Sequence, residues 1–128
     1  MNKSCRCLLF VSLLWLPLSA SAELPVGDAK RGERVFWSCR TCHYPEQGVG
    51  HNNGPALWNI FGQAAGKQAG FDYSLAFRNV NFVWTPQLMD IWLQDPVKFV
   101  PGNKMMSLGI SSARDRADLI AYLQLFSE

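Results

Sequence analysis

Three stretches of the chain place apolar residues at the spacing of an amphipathic helix, and a long polar, glycine-rich tract separates the first from the other two. The first follows Gly27-Asp28 in AKRGERVFWSC, with Asp28 as the N-cap and Val35 and Phe36 on the apolar side. The second is TPQLMDIWLQDP, where Thr85 is the cap, Pro86 takes the first helical position and Asp95-Pro96 ends the run. Leu88, Ile91 and Trp92 are expected on its buried face. The third, SARDRADLIAYLQLF, opens with Ser112 and Asp115 at capping-box spacing and carries Leu119, Tyr122, Leu123 and Phe126 in a stripe. It is expected to pack on the first helix. Between Tyr44 and Gly70 the sequence is rich in Gly, Asn, Pro and Gln and has no sustained period, which predicts loops and turns. No stretch reads as a strand. The pattern predicts an all-α fold of three main helices with long loops, and loops of that length inside a small domain are expected to wrap something.

The first 22 residues stand apart from this pattern. Lys3 and Arg6 precede the apolar run CLLFVSLLWLPL, and Ala20-Ser21-Ala22 is a small-residue cleavage site, so residues 1–22 read as a secretory signal peptide and 23–128 as the domain. The apolar run is shorter than the roughly 20 residues that a membrane-spanning helix needs. Lys3 and Arg6 also carry the whole of the formal net charge of +2, so the exported part is neutral. Neither a polyanion-binding surface nor a cluster of basic residues is present to neutralise successive phosphates. Cys5 and Cys7 leave with the signal, and the domain keeps only Cys39 and Cys42. Roughly 106 residues make a modest core, which a buried prosthetic group would strengthen.

Those two cysteines lie in CRTCH, Cys39 to His43. A structural zinc site needs four ligands, and only His51 remains to complete Cys39, Cys42 and His43. A thioredoxin-like dithiol needs a βαβ setting that this chain lacks. Covalent haem attachment accounts for each position: thiols three apart reach the two vinyl groups on one porphyrin edge, and the histidine directly after them turns to the iron. For a second iron ligand the chain offers VPGNKMM, a thioether-bearing Pro/Gly loop at Val100 to Met106, although methionines are by default core gap-fillers. GQAAGK, which suggests a phosphate-binding loop, has the wrong glycine spacing and Gln68 in place of a hydroxyl residue.

Together, GDAKRGERVF before CRTCH, then GPALWNIFG, GFDYS, Trp84, PGNKM and DLIAYL resemble the class I c-type cytochromes, in particular the mitochondrial cytochrome c and bacterial cytochrome c2 branch. The resemblance covers nearly all of the exported chain and implies the small cytochrome c fold around one covalently bound haem c. It implies Met105 as the sixth iron ligand opposite His43, with Met106 as its apolar neighbour. It implies Pro55 as acceptor for the proximal imidazole N–H, Tyr73 and Trp84 as hydrogen-bonding partners of a buried propionate, and Gly32, Phe36 and Tyr122 at the crossing of the first and last helices. Trp92 replaces the tyrosine that faces the axial methionine, and Phe77 an asparagine of the same buried network. Gln63 stands in place of an arginine near the propionates, and Ser107 in place of an aromatic residue at the haem edge. Asn103 replaces the threonine of the ligand loop and is expected to hydrogen-bond a propionate or water. His51 is expected to be a solvated surface histidine, and Lys104 is a candidate to displace Met105 at high pH.

The implied function is that of a one-electron carrier, not an enzyme. It would dock transiently with a redox donor and acceptor such as a cytochrome bc1-type complex, an oxidase or a dehydrogenase, and the signal implies export, with the bacterial periplasm as the expected compartment. The four lysines of the domain, Lys30, Lys67, Lys98 and Lys104, are few for strong steering, and Arg40, Lys98 and Lys104 are expected to form at most a weak positive patch.

Overall fold

The computed structural model describes residues 24–128; the expected signal peptide at 1–22, and residue 23, lie outside them. Five helices follow in order: α1 (Ala29–Phe36), α2 (Leu75–Arg78), α3 (Pro86–Gln94), α4 (Pro96–Phe99) and α5 (Ala113–Gln124). The three long ones are those that the apolar periodicity predicts. Each begins where a side-chain oxygen accepts an otherwise unpaired N–H: Asp28 from Arg31, Thr85 from Leu88 and Ser112 from Asp115. Asp95 and Pro96 do end α3, but Asp95 then caps Lys98 N–H at 3.0 Å and Pro96 opens the single turn α4. The turn α2 starts the same way on Ser74, which accepts from Phe77 N–H at 3.2 Å. Pairing of the β type is limited, among the described residues, to one isolated bridge between Ala64 and Val83.

α1 and α5 cross at Gly32. Any Cβ there would collide with the Asp118 carbonyl oxygen and lie 2.8 Å from Tyr122 Cβ, so only glycine lets the two backbones approach this closely. Phe36, 2% exposed, then packs on Tyr122 with ring centres 5.3 Å apart and the rings tilted by 42°, and Tyr122 meets Phe126 at 5.1 Å. The expected crossing of Gly32, Phe36 and Tyr122 is therefore present. α3 deviates from its expected face: Ile91 is 49% exposed, while Met89, Trp92 and Leu93 are buried. The inner stripe runs at spacings of three and four from Met89, one residue, or about 100°, round from the expected stripe that starts at Leu88.

Next to the crossing, Asp118 is 1% exposed and accepts from Asp28 N–H at 2.6 Å and from Arg31 Nε and Nη2 at 2.7 and 2.8 Å. The hydrogen bonds from Arg31 outweigh burial and hold its carboxyl below the ordinary carboxylate range. A depressed folded-state value stabilises the fold above the unfolded value and loses that contribution as pH falls through the folded value. Asp118→Asn should therefore be less stable than the parent at neutral pH, with the difference shrinking below about pH 4; urea unfolding at a series of pH values reads this directly.

A second buried pair joins α3 to α5. Arg116 Nε lies 2.7 Å from Asp90 Oδ1, and its Nη1 donates to the carbonyls of Ile110 and Ser111 at 2.9 and 3.0 Å. Ile110 N–H donates in turn to Leu93 O at 2.8 Å. The irregular segment between α4 and α5 is thus anchored at its far end.

Candidate haem-binding site

The CRTCH segment is a continuation of α1 by turns. Phe36 O accepts from Cys39 and Arg40 N–H, and Cys39 O accepts from Cys42 and His43 N–H at 3.0 and 2.9 Å. This winding sets Cys39, Cys42 and His43 on successive corners of one turn. Both thiols are free and half-buried, and Cys39 packs against the hydrophobic core. Burial pushes the Cys39 thiol up, with a weaker opposing effect of Ser38. Among the described residues, no group of three or more His, Cys, Asp or Glu side chains is placed to hold a metal ion.

His43 is fixed from two sides. Its Nδ1 lies 2.7 Å from the Pro55 carbonyl, which can only accept, so Nδ1 carries the proton and Nε2 is left with a bare lone pair. Burial lowers the imidazole below its ordinary value, against the raising effect of the Pro55 bond, and favours the neutral ring that a metal requires. The second wall is Gly54: an added Cβ there would sit on the ring, against Cε1 and 2.7 Å from both Nδ1 and Nε2. Gly54 is in turn held by its N–H on Cys42 O at 2.8 Å. In the sequence Gly54 is marked only as the first residue of GPALWNIFG, next to Pro55.

His51 departs from expectation. It is half-exposed and bonded on both nitrogens: Ala56 N–H donates to Nδ1 at 2.9 Å, which places the proton on Nε2 for Ala69 O at 3.0 Å. Its ring also meets Phe71 at 5.4 Å. His51 therefore pins the loop that carries Pro55 to the loop that carries Tyr73. A sequence cannot reveal this, because the partners are backbone atoms 5 and 18 residues away.

Tyr73, Phe77, Trp84 and Trp92 are brought into one buried aromatic group. Phe77 lies 5.7 Å from Tyr73, 6.3 Å from Trp84 and 5.2 Å from Trp92, the last edge-on at 86°. Burial raises the Tyr73 phenol, with an opposing backbone hydrogen bond from Gln68, and so keeps it a protonated donor. Gln63 is bound into the chain beneath Trp84, whose N–H donates to Gln63 O at 2.9 Å. Met105 is half-buried and packs against the same core, whereas Met106, expected as its apolar neighbour, stands fully in solvent at 101% exposure. Ser107 Oγ accepts from Gly109 N–H at 3.1 Å. Lys104 lies 3.3 Å from Asp72, and Arg40 pairs with Glu46 at 2.6 Å.

Two thiols on one turn, an imidazole nitrogen presented bare, a thioether and an aromatic core make a soft, apolar donor set that fits a covalently held haem. No protein-family profile matches the chain. It is 44% identical over 108 residues to a cytochrome c of Chlamydomonas reinhardtii, across 84% of this chain and 96% of the relative. It is 43% identical over 104 residues to a cytochrome c of Guizotia abyssinica, across 80% of this chain and 94% of the relative. Among solved structures it superposes on cytochrome cH from Methylobacterium extorquens with a TM-score of 0.73 and 37% identity, covering 77% of this chain and 99% of the other. The chain belongs to the cytochrome c family, with its all-helical fold, its single covalently attached haem c and its role in carrying electrons instead of catalysing a reaction.

Proposed function

We propose that the protein is an exported single-haem electron carrier whose low-spin iron is held between His43 and Met105. The observation that carries this reading is the bare Nε2 of His43, kept in one tautomer and one orientation by Pro55 and Gly54. A bound haem would supply a one-electron iron couple. Cys39 and Cys42 would hold it as thioethers. Pro55 strengthens His43 as a donor by accepting its other N–H. Tyr73 and Trp84 would orient a propionate, and the buried Trp92 and Phe77 rings would make the pocket apolar.

The partners are redox proteins of an exported electron-transfer chain, such as a bc1-type complex, an oxidase or a dehydrogenase, met in short-lived encounters. Two of the three cations of the expected patch, Arg40 and Lys104, are paired with acids, which agrees with weak electrostatic steering. Among the described residues no helix is long and apolar enough to cross a membrane, and the signal at 1–22 supports release into the bacterial periplasm.

Visible and near-infrared spectra of the holoprotein test the ligation. The oxidised form should show a weak thioether-to-iron charge-transfer band, and the reduced form should be unchanged by carbon monoxide. Absence of that band together with ready carbon monoxide binding would leave the sixth position open and overturn the carrier reading.

A further inference from the structure

Asn103 is placed in the ligand loop, and its side chain is fully engaged there. Its Nδ2 donates to both Pro96 O and Val100 O at 2.9 Å, and its Oδ1 accepts from Met105 N–H at 2.8 Å. Its backbone N–H donates to Val100 O as well, at 3.1 Å. An asparagine has two amide hydrogens, and both are committed to carbonyls, so none remains for a propionate carboxylate, which can only accept. The bonds instead tie the end of α4 to the backbone of Met105. No helix or strand organises the ten residues from 103 to 112, so these contacts supply the order that secondary structure does not. The far end of the same segment is held by Arg116 through Ile110 and Ser111.

We infer that Asn103 is a positioning residue for the axial thioether: it fixes the Met105 backbone between α4 and the Arg116 anchor, and so keeps Met105 on the iron. This rests on the ligation proposed above. With the lock removed, the loop samples a Met105-off state more often, and an external ligand enters that state.

The test uses oxidised holoprotein and cyanide, whose association rate reports how often the sixth position opens. Asn103→Ala loses two donors and an acceptor, and should take up cyanide about tenfold faster than the parent, the equivalent of about 1.4 kcal/mol, with haem attachment and far-UV circular dichroism unchanged. Asn103→Asp keeps the acceptor for Met105 N–H but loses both donors, and should fall between the two. A purely structural role would lower the melting temperature without changing the cyanide rate. If the parent itself lacks the thioether band, the ligation reading fails and this inference with it. If the parent has the band and Asn103→Ala binds cyanide at the parent's rate, only the role of Asn103 is overturned. A parental cyanide rate with an altered pH dependence of the midpoint potential would place the amide on a propionate and overturn it as well.

Discussion

Gly54→Ala should give a holoprotein with a disturbed iron site and a melting temperature lower by roughly 15 °C, from a loss of about 3 kcal/mol in a domain of this size. The new methyl carbon would lie against His43 Cε1 and 2.7 Å from each ring nitrogen, closer than carbon tolerates. The backbone of Gly54 has little freedom to retreat, since its N–H is on Cys42 O at 2.8 Å and its carbonyl accepts from Asn52 N–H at 3.0 Å. The imidazole must therefore turn, and turning breaks its 2.7 Å bond to Pro55. Overpacking costs about 1–3 kcal/mol and a buried carbonyl left without its donor a further 1–3 kcal/mol, so the two together set the figure. The ring would also lose the tautomer that presents Nε2. Thermal melts followed by circular dichroism, with spectra of the reduced form, read both consequences. A parental melt and a parental spectrum would mean that the loop yields freely and that Gly54 does not hold the ring.

Gly32→Ala should destabilise the protein by about 3 kcal/mol or more, although alanine is the better helix former by about 1 kcal/mol. The obstacle is backbone: the added carbon meets the Asp118 carbonyl group, with its carbon 2.5 Å away, and Tyr122 Cβ at 2.8 Å. A backbone carbonyl cannot change rotamer, so the helices have to separate. Separation loosens Phe36 and Leu119, 2% and 1% exposed, each of which contributes roughly 1.5–3 kcal/mol by burial. It also stretches the short bonds from Arg31 and Asp28 to Asp118. Against a total stability of about 5–15 kcal/mol this is a large fraction. Urea unfolding should show the midpoint falling steeply. A midpoint at or above the parent's would mean that helix propensity wins and that the crossing has slack.

Several features were legible before any fold was known, because their causes are local. A cap followed by a 3.6-residue apolar period declares a helix within a dozen residues, and α1, α3 and α5 begin on the predicted Asp28, Thr85 and Ser112. The covalent chemistry of CRTCH is likewise confined to five residues, since thiol spacing alone decides whether one turn can hold a porphyrin edge. Pro55 entered through resemblance, and the 2.7 Å contact with His43 agrees with it.

Other features depend on contacts between distant segments. Ile91 and Met89 are equally apolar in sequence, and only the position of α3 against the aromatic group and α5 decides that Met89 is buried and Ile91 exposed. Met106 adjoins Met105 in the chain but is turned to solvent, in a segment where half-buried and exposed residues alternate from 103 to 108. His51 and Asn103 are polar residues in loops whose partners are mostly backbone groups, and backbone groups have no sequence signature. The single turns α2 and α4 are too short to show a period. By itself the sequence determined where the helices start and that a CXXCH motif is present, since each rests on chemistry within a few positions, while the family is legible from blocks spread along most of the chain. The tertiary structure alone decided which glycines must stay glycine, which loops are pinned and how the Met105 loop is held, because these rest on distances between residues that the chain keeps far apart.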